Sequence, residues 1–319
     1  MSLLLAGAAT AFAAGPFEKT ECIAPAKPGG GFDLTCKLVQ SALMEGKFIA
    51  DPMRVTYMPG GIGAVAYNAV VAQRPGDNNT IVAFSGGSLL NLAQGKFGRY
   101  NENDVRWLAA IGADYGAIVV SDSSPFKNLQ DVLAAVKAGP TKVVFGAGGT
   151  VGSQDWMKAA LTARAAGLDP KAMRFVAFEG GGEALTALQG GHVHVYSGDA
   201  SEAMQQMKAG AKIRVLAVMA DKRLPGDLSA VPTAKEQGVD IQWPIIRGFY
   251  MGPKVSDADF KVWSDGFKKM MATPAYDKLR AERGLFPFDL VGADADAYVK
   301  KQVNEYRKLA QEFGLAVAN

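Results

Sequence analysis

The chain has 319 residues, of which 49% are hydrophobic and 20% charged, a composition typical of a globular protein. This length is large for a single hydrophobic core and suits two domains. The formal net charge is +3 and the Lys and Arg residues are scattered, which argues against a nucleic-acid-binding surface. No apolar run reaches the roughly 18 residues that a membrane-spanning helix needs.

Residues 1–14 are small and apolar, and Phe12, Ala13 and Ala14 fit the cleavage site of a secretory signal peptide. The basic residues that usually open such a peptide are missing, and the alternative is an apolar N-terminus outside the fold. We expect residues 1–15 to be the remnant of a signal peptide and the fold to begin near Pro16. Export from the cytoplasm follows from this interpretation.

Residues 20–43 predict a buried strand, a loop rich in Pro and Gly, and a helix that begins at Phe32 or Asp33. Leu34 and Leu38 begin the apolar stripe of that helix. Asp33 is the expected N-cap, because its carboxylate accepts a backbone N–H that the first turn leaves unpaired. The glycines before it leave the helix N-terminus open to an anion, although such turns also occur in α/β folds without a ligand.

The same unit of strand, small-residue loop and helix recurs along the chain. It is found at residues 55–69, 80–92, 143–159, 174–188 and 193–204. In open α/β sheets, ligands bind beyond the carboxyl ends of the strands, where such loops meet. The loops are rich in Gly and Ser and contain hardly any basic residue. This pattern predicts a carboxylate held by neutral backbone dipoles.

The rest of the chain predicts an α/β fold of two lobes with a hinged cleft between them. Residues 105–111 and 117–121 predict two separate strands, and the chain crosses between the lobes near Asp114. It returns between Met219 and Arg247. Helices are predicted at residues 129–138, 256–272, 274–283 and 293–313. We assign residues 16–113 and 244–319 to lobe 1 and residues 114–243 to lobe 2, each a mostly parallel sheet flanked by helices.

Motifs for cofactors and catalysis are incomplete. Residues 61–66 match a dinucleotide-binding loop, but the next strand ends at Ser85 without the acidic residue that a ribose requires. No glycine loop ends as a phosphate-binding loop does, and no Ser lies in a nucleophile elbow. His192 and His194, the only two histidines, predict either metal ligands or a solvated strand face, and no third ligand completes a metal set. We expect no cofactor, no metal and no enzymatic activity.

Several carboxylates fall at predicted helix starts, where the expected role is capping. They are Asp33, Glu179, Glu183, Asp199 and Glu202. Glu183 and Asp199 also fall near the predicted cleft, so accepting a hydrogen bond from a ligand hydroxyl is the alternative for these two.

The two cysteines bracket the opening loop, Cys22 on the first strand and Cys36 in the first helical turn. In an exported protein they predict a disulfide, provided that strand and helix converge near the loop. Two buried free thiols are the alternative. The residues alone do not decide between a disulfide and two free thiols.

Three segments together resemble one family: PAKPGGGFDLTCK at residues 25–37, MPGGIGA at 58–64 and VPTAKEQG at 231–238. The chain is similar to the periplasmic solute-binding proteins of tripartite tricarboxylate transporters, the TctC/Bug group. The likeness runs from about residue 18 to the C-terminus. Through CIAPAKPGGGFDLTCKL and VYSGDASEAM, the chain is most similar to the tricarboxylate (citrate) receptors. The resemblance implies a two-lobed periplasmic-binding-protein fold, type II-like, with the ligand cleft between the lobes.

The resemblance also implies that two glycine loops of lobe 1 grip a carboxylate and that loops of both lobes complete the rim. Glu179 and Phe32 depart from residues common among relatives. Lys27 and Arg247 are the nearest candidate cations; the alternatives are a solvated surface Lys and a structural ion pair. The predicted ligand-binding residues are Lys27, Pro28, Gly29, Gly30, Gly31, Phe32, Asp33, Pro59, Gly60, Gly61, Ser85, Gly86, Gly87, Ser88, Gly149, Thr150, Gly152, Ser153, Glu179, Gly180, Gly181, Gly182, Glu183, Asp199 and Arg247.

The function implied is that of a monomeric periplasmic solute-binding protein. It captures a small organic anion, a di- or tricarboxylate such as citrate, and delivers it to the integral membrane permease subunits of a tripartite tricarboxylate transporter. A periplasmic enzyme acting on a carboxylate substrate is the alternative of a different class and requires a perturbed general base in the cleft. A ligand sensor for a two-component kinase is a further alternative.

Overall fold

Strands and helices alternate along most of the chain in the computed structural model, which describes residues 19–49 and 51–316. The signal peptide predicted at residues 1–15 and the start near Pro16 lie outside these residues. The strands are β1 Glu21–Ala24, β2 Arg54–Tyr57, β3 Thr80–Ser85, β4 Arg106–Ser121, β5 Val144–Gly148, β6 Arg174–Phe178, β7 Val195–Asp199, β8 Ile213–Met219, β9 Pro244–Met251 and β10 Phe286–Val291. The helices are α1 Gly31–Glu45, α2 Ala64–Gln73, α3 Gly86–Ala93, α4 Leu129–Ala138, α5 Gln154–Ala165, α6 Gly181–Gln189, α7 Ala200–Lys208, α8 Asp257–Met271, α9 Pro274–Glu282 and α10 Ala293–Glu312.

The strands form two sheets that share β4, so the α/β fold of two lobes is confirmed. The strand order is β2-β1-β3-β9-β4-β7-β5-β6, with β10 and β8 also paired to β4. Within each lobe the strands of the repeated units are parallel, whereas β9, β10, β7 and β8 run antiparallel to β4. Each lobe therefore presents the carboxyl ends of parallel strands. The antiparallel pair β4 and β9 carries the chain between the lobes.

β4 is one continuous strand, so the prediction of two separate strands at residues 105–111 and 117–121 is wrong. It pairs with β9 as far as Tyr115 and with β7 and β8 from Gly116 onward. The small residues in the middle suggested a break, but Gly116 serves close packing, because a Cβ there would lie 2.7 Å from Lys158 and 2.9 Å from Met219. The sheets meet at this point, next to the predicted crossing at Asp114.

Other differences are local. The structure adds β10, and residues 224–238 contain two short 3₁₀ turns, Gly226–Leu228 and Lys235–Gln237. The histidines precede β7 rather than lying on it, and His194 accepts a hydrogen bond at Nδ1 from the Val144 amide, 3.0 Å away. The strand face predicted from the two histidines is therefore wrong.

Aromatic packing supports the strands that connect the lobes. Trp107 of β4 packs edge-on against Phe84 of β3 and Tyr250 of β9, with ring centroids 4.9 and 5.5 Å apart. All three side chains are buried. Burying one such side chain stabilises the folded state by about 1.5–3 kcal/mol. This part of the first sheet therefore holds the loops at its end in place.

A disulfide joins Cys22 of β1 to Cys36 of α1, with the Cα atoms 5.8 Å apart. The structure thus selects the disulfide over two free thiols. Both residues are fully buried. The strand and helix converge at the opening loop, and the bridge closes that loop at its base.

Candidate functional site

A small cavity of about 30 Å³ lies between the lobes, at the ends of β1, β3, β5, β6 and β7. The predicted residues that line it are Gly30, Gly31, Phe32, Ser85, Ser153, Glu179, Gly180, Gly181, Asp199 and Arg247. Its lining also includes residues that sequence reasoning did not select: Ala26, Ile62, Gly148, Gln154, Asp155 and Glu202. The repeated units therefore bring the predicted loops together, and charged side chains from the second lobe join them.

A much larger groove lies elsewhere, at the second lobe near Phe126, Val143 and His194. It has a volume of about 580 Å³ and a mostly apolar lining. None of the predicted ligand-binding residues lines it, so size alone does not mark the candidate site.

The opening loop differs from prediction at its cap. The helix α1 begins at Gly31 with Gly30 as the N-cap residue, so the expected N-cap role of Asp33 is wrong. Gly31 and Phe32 already adopt the helical conformation, which places Asp33 at the third helical position, within the first turn. Its carboxylate instead reaches back to accept from the Gly29 amide, at 2.9 Å, and from the Tyr57 hydroxyl, at 2.8 Å. These bonds fix the loop against the second strand, and Asp33 itself does not line the cavity.

Several predicted rim residues brace the loops and do not line the cavity. The Gln94 amide nitrogen donates to the Gly152 carbonyl, at 2.6 Å, and Lys96 donates to the Val151 carbonyl, at 2.9 Å, so α3 and its following turn hold the loop after β5. Apart from Lys27 and Glu183, the remaining predicted residues away from the lining are Pro28, Gly29, Pro59, Gly60, Gly61, Gly86, Gly87, Ser88, Gly149, Thr150 and Gly182. In the second glycine loop, Ile62 is the residue that faces the cavity.

Lys27 is exposed but not free, because its ammonium lies 2.5 Å from Glu183. Glu183 also accepts from the Glu179 amide, at 3.2 Å, but α6 begins after Gly180 without a side-chain cap, so the predicted capping role of Glu183 is wrong. The pair joins the opening loop of the first lobe to the start of α6 in the second. Both side chains lie outside the cavity lining.

Arg247 belongs to a buried cluster of charges, which is the structural ion-pair alternative. Its guanidinium donates to Asp114, at 3.1 Å, and to Asp199. Lys158 lies 2.6 Å from Asp199 and 2.7 Å from Asp155. Because the Asp199 carboxylate makes these pairs and no capping hydrogen bond to α7, its predicted capping role is wrong.

Burial and neighbouring charges act in opposite directions within this cluster. Burial opposes ionisation of Asp199, but Lys158 and Arg247 outweigh it and hold its pKa below the usual range. Burial raises the pKa of Asp155 to about 6, despite Lys158. Burial also raises the pKa of Asp114, despite Arg247. The two cations thus compensate Asp199 fully and the other aspartates only in part.

Glu202, in the first turn of α7, is a residue whose role sequence reasoning missed. Its carboxyl group accepts from the Gly31 amide at the N-terminus of α1, and from the Tyr196 hydroxyl, at 2.5 Å. The predicted capping role is therefore wrong, because the side chain serves another helix. Burial raises its pKa to about 8, with Asp199 adding to the effect. No sequence signal identifies this contact, since 171 positions separate its partners.

Three buried polar atoms at the cavity have no hydrogen-bond partner: the Gln154 side-chain oxygen, the Arg247 Nε and Asp155 Oδ1. The last lies 2.7 Å from the Lys158 ammonium, which leaves the first two atoms without a hydrogen-bond or ion-pair partner. Gln154 is 7% exposed and Arg247 1%. Buried polar groups are almost always paired, so this acceptor and this donor mark positions where a ligand or water would bind.

Residues 19–49 and 51–316 contain neither a cluster of metal ligands nor a helix suited to span a membrane. No group of three or more His, Cys, Asp or Glu side chains there could hold a metal ion. None of the helices in these ranges is long and apolar enough to cross a membrane.

Two α/β lobes that enclose a polar cavity lined by helix N-termini define the class of periplasmic binding proteins. Residues 39–315 match the family described as the tripartite tricarboxylate transporter family receptor, TctC. The chain belongs to this family. The match begins after the opening loop, so Gly30 and Gly31 lie outside it. Family membership implies a periplasmic receptor.

Solved structures of similar proteins share the fold. The periplasmic binding protein BugD is 18% identical with a TM-score of 0.81, over 93% of this chain and 98% of that chain. MatC from Rhodopseudomonas palustris with bound malate is 19% identical with a TM-score of 0.79, over 92% and 99%. Another R. palustris protein, with adipate, is 20% identical with a TM-score of 0.81, over 94% and 99%.

Proposed function

We propose that this protein is an extracytoplasmic solute-binding protein. It captures a di- or tricarboxylate, such as citrate, between its lobes and delivers it to the permease of a tripartite tricarboxylate transporter. One observation carries the proposal: the Gly31 amide at the N-terminus of α1 binds a carboxyl group, that of Glu202. The same backbone donor suits a ligand carboxylate. Malate and adipate in two structural relatives support this class of ligand.

The N-termini of α1 and α6 meet at the proposed binding position. A Cβ on Gly30 would lie 3.7 Å from the Gly181 amide nitrogen and 4.0 Å from that of Gly182. Partial positive charge at a helix N-terminus stabilises a nearby anion. Two such termini, one from each lobe, therefore grip a carboxylate when the lobes approach each other.

Entry of such a ligand requires motion. A cavity of about 30 Å³ holds a water molecule or two but no dicarboxylate. We infer that lobe 1, residues 16–113 and 244–319, and lobe 2, residues 114–243, separate and close about β4 and β9. Small changes at these crossings are the usual mode of hinge closure around a ligand.

A thermal-shift screen tests the function. Citrate, malate and adipate are compared with acetate as a monocarboxylate control, all at one ionic strength and pH. A ligand at one hundred times its Kd adds about 2.7 kcal/mol to the folded state, so a cognate acid raises Tm and acetate does not. Equal Tm values with all four acids would contradict the proposal, and calorimetric titration of each hit then gives the Kd.

An enzyme acting on a carboxylate is the second candidate, because Glu202 and Asp155 provide the perturbed carboxyl groups that such an enzyme requires. Both groups make contacts within the protein: Glu202 with Gly31 and Tyr196, Asp155 with Lys158. Proton NMR of citrate or malate incubated with the protein separates the candidates. Unchanged acid supports the receptor, and a new product at a rate set by protein concentration supports the enzyme.

A further inference from the structure

We propose that Glu202 is an internal occupant of the carboxylate grip, which a ligand carboxylate must displace. The inference rests on the proposed function and assigns a new role within that site. Glu202 belongs to α7 in the second lobe, whereas its partner, the Gly31 amide, begins α1 in the first. The side chain thus reaches across the cavity to the donor that the ligand needs.

The surroundings of Glu202 have the shape of a carboxylate site. One carboxyl oxygen accepts from the Gly31 amide and lies 3.6 Å from where a Cβ on Gly30 would be. The other accepts from the Tyr196 hydroxyl, at 2.5 Å, and would overlap any Cβ placed on Gly181. Only glycine fits at that position while Glu202 remains in place. The carboxyl group therefore fills the gap between the two helix N-termini.

A separate observation indicates that a ligand binds in the same cavity. The Gln154 oxygen and the Arg247 Nε are buried, line the cavity and have no hydrogen-bond partner. Glu202 satisfies neither of them. A hydroxy acid such as malate or citrate offers both a hydroxyl donor and carboxylate acceptors, but the present volume of about 30 Å³ does not admit it. Withdrawal of the Glu202 side chain frees both the Gly31 amide and space.

The charges around Glu202 make it the carboxyl group that is easiest to displace. The titratable and charged groups that face it are Tyr196 and Asp199 of β7, Asp155 of α5 and Arg247 of β9. Arg247 and Lys158 are already paired with aspartates. Glu202 therefore has no cation of its own. A neutral carboxyl group is a weaker acceptor than a carboxylate, so an ionised ligand competes well for the Gly31 amide.

The contact also links closure to binding. Because it joins α7 to α1, Glu202 stabilises the approach of the two lobes without any ligand. Every molecule closed in this way is unable to accept a ligand, which lowers the apparent affinity by the fraction that remains competent. Removing the side chain is then expected to tighten binding, whereas most substitutions in a binding site weaken it.

The test compares Glu202→Ala and Glu202→Gln with the wild-type protein, using calorimetric titration with malate and with citrate. Glu305→Gln is the matched control, because it breaks an exposed ion pair with Lys301 on α10, away from the cavity. We expect Glu202→Ala to bind the acid that the wild type binds about tenfold more tightly, as suits loss of one competing hydrogen bond. Glu202→Gln keeps the shape of the side chain, so its affinity should fall between those of the wild type and Glu202→Ala. The affinity of the control should stay within about twofold of the wild-type value.

Small-angle scattering without acid gives a second readout, in which Glu202→Ala has a larger radius of gyration than the wild type. Weaker or unchanged binding by both variants, with Tm showing that they are folded, would overturn the inference and leave the receptor function standing. Failure of every protein to bind either acid would overturn the proposed function and the displacement together. The scattering comparison then still shows whether Glu202 holds the lobes together.

Discussion

The two sides of the interlobe cavity are built from different chemistry. The first lobe offers backbone amides on a loop that a disulfide and the Asp33 hydrogen bonds hold in place. The second lobe adds the N-terminus of α6 and also buried charged side chains, Asp155, Lys158, Asp199 and Glu202, which join Arg247 from β9. A neutral grip with a fixed shape thus faces a charged surface whose protonation varies. The difference suggests that the first lobe recognises the carboxylate and the second determines when the site is free.

Removal of Arg247 should have the largest effect on stability. Arg247→Met leaves Asp114 without a cation and Asp199 with Lys158 alone. Breaking a buried ion pair costs about 3–5 kcal/mol, measured as the free energy of unfolding in urea. Arg223→Met is the control, because it breaks an exposed pair with Glu236 and should cost less than about 1 kcal/mol. Equal losses in the two variants would show that the buried cluster is not structurally important.

Loss of the disulfide should have the next largest effect, on the opposite side of the cavity. The double variant Cys22→Ala with Cys36→Ala removes a bridge that spans 14 positions, and chain entropy predicts a loss of about 3 kcal/mol. Denaturant unfolding with and without a reductant measures it. Reductant should destabilise the wild type and leave the double variant unchanged. The disulfide would be contradicted if reductant left the stability of the wild type unchanged and both cysteines of the denatured, unreduced protein could be alkylated.

The pH dependence of the free energy of unfolding should report the buried carboxyl group of Glu202 in the second lobe. Folding raises the pKa of Glu202 from an ordinary value of 4.5 to about 8. The folded state therefore holds a proton that the unfolded state releases, so this stability is full below pH 4.5 and is lost as pH rises through 8. Each unit corresponds to about 1.4 kcal/mol. Between pH 5 and pH 9, the free energy of unfolding of Glu202→Gln should fall by at least about 1.4 kcal/mol less than that of the wild type. Parallel curves of unfolding free energy against pH would contradict the raised pKa of Glu202.

A smaller effect, confined to binding, should separate the backbone grip from Lys27, the exposed cation of the opening loop. Gly30 has a φ of −96°, so a side chain is tolerated by the backbone, and valine would extend toward Glu202 and Gly181. We expect Gly30→Val to weaken binding of the cognate acid more than tenfold. Lys27→Ala, which removes an exposed pair outside the cavity, should weaken it less than about threefold. The reverse order would show that a side-chain cation holds the ligand.

Local patterns allowed much of the fold to be predicted. The helix at residues 129–138 is confirmed by α4, because its apolar spacing and the Asn128 cap agree with each other. The strand β10 was missed, since Pro287 interrupts a short run of alternating residues that only pairing with β4 stabilises. Asp114, Lys158 and Arg247 are far apart in sequence and meet only through the two sheets. A charge cluster of this kind leaves no periodic signal, so only a structural ion pair at Arg247 was foreseen, as an alternative, and its partners were not.

The most direct test of carboxylate capture between the lobes is the amide NMR spectrum of ¹⁵N-labelled protein titrated with malate or citrate. When the acid binds, we expect large downfield shifts of the Gly30, Gly31 and Gly181 amide protons, because a charge-assisted hydrogen bond to a carboxylate is stronger than a neutral one. The amide of Gly210, in the turn after α7, serves as the internal reference and should not move. If calorimetry shows saturation by an acid while these three amides remain as they were, the ligand binds elsewhere and the backbone grip is wrong.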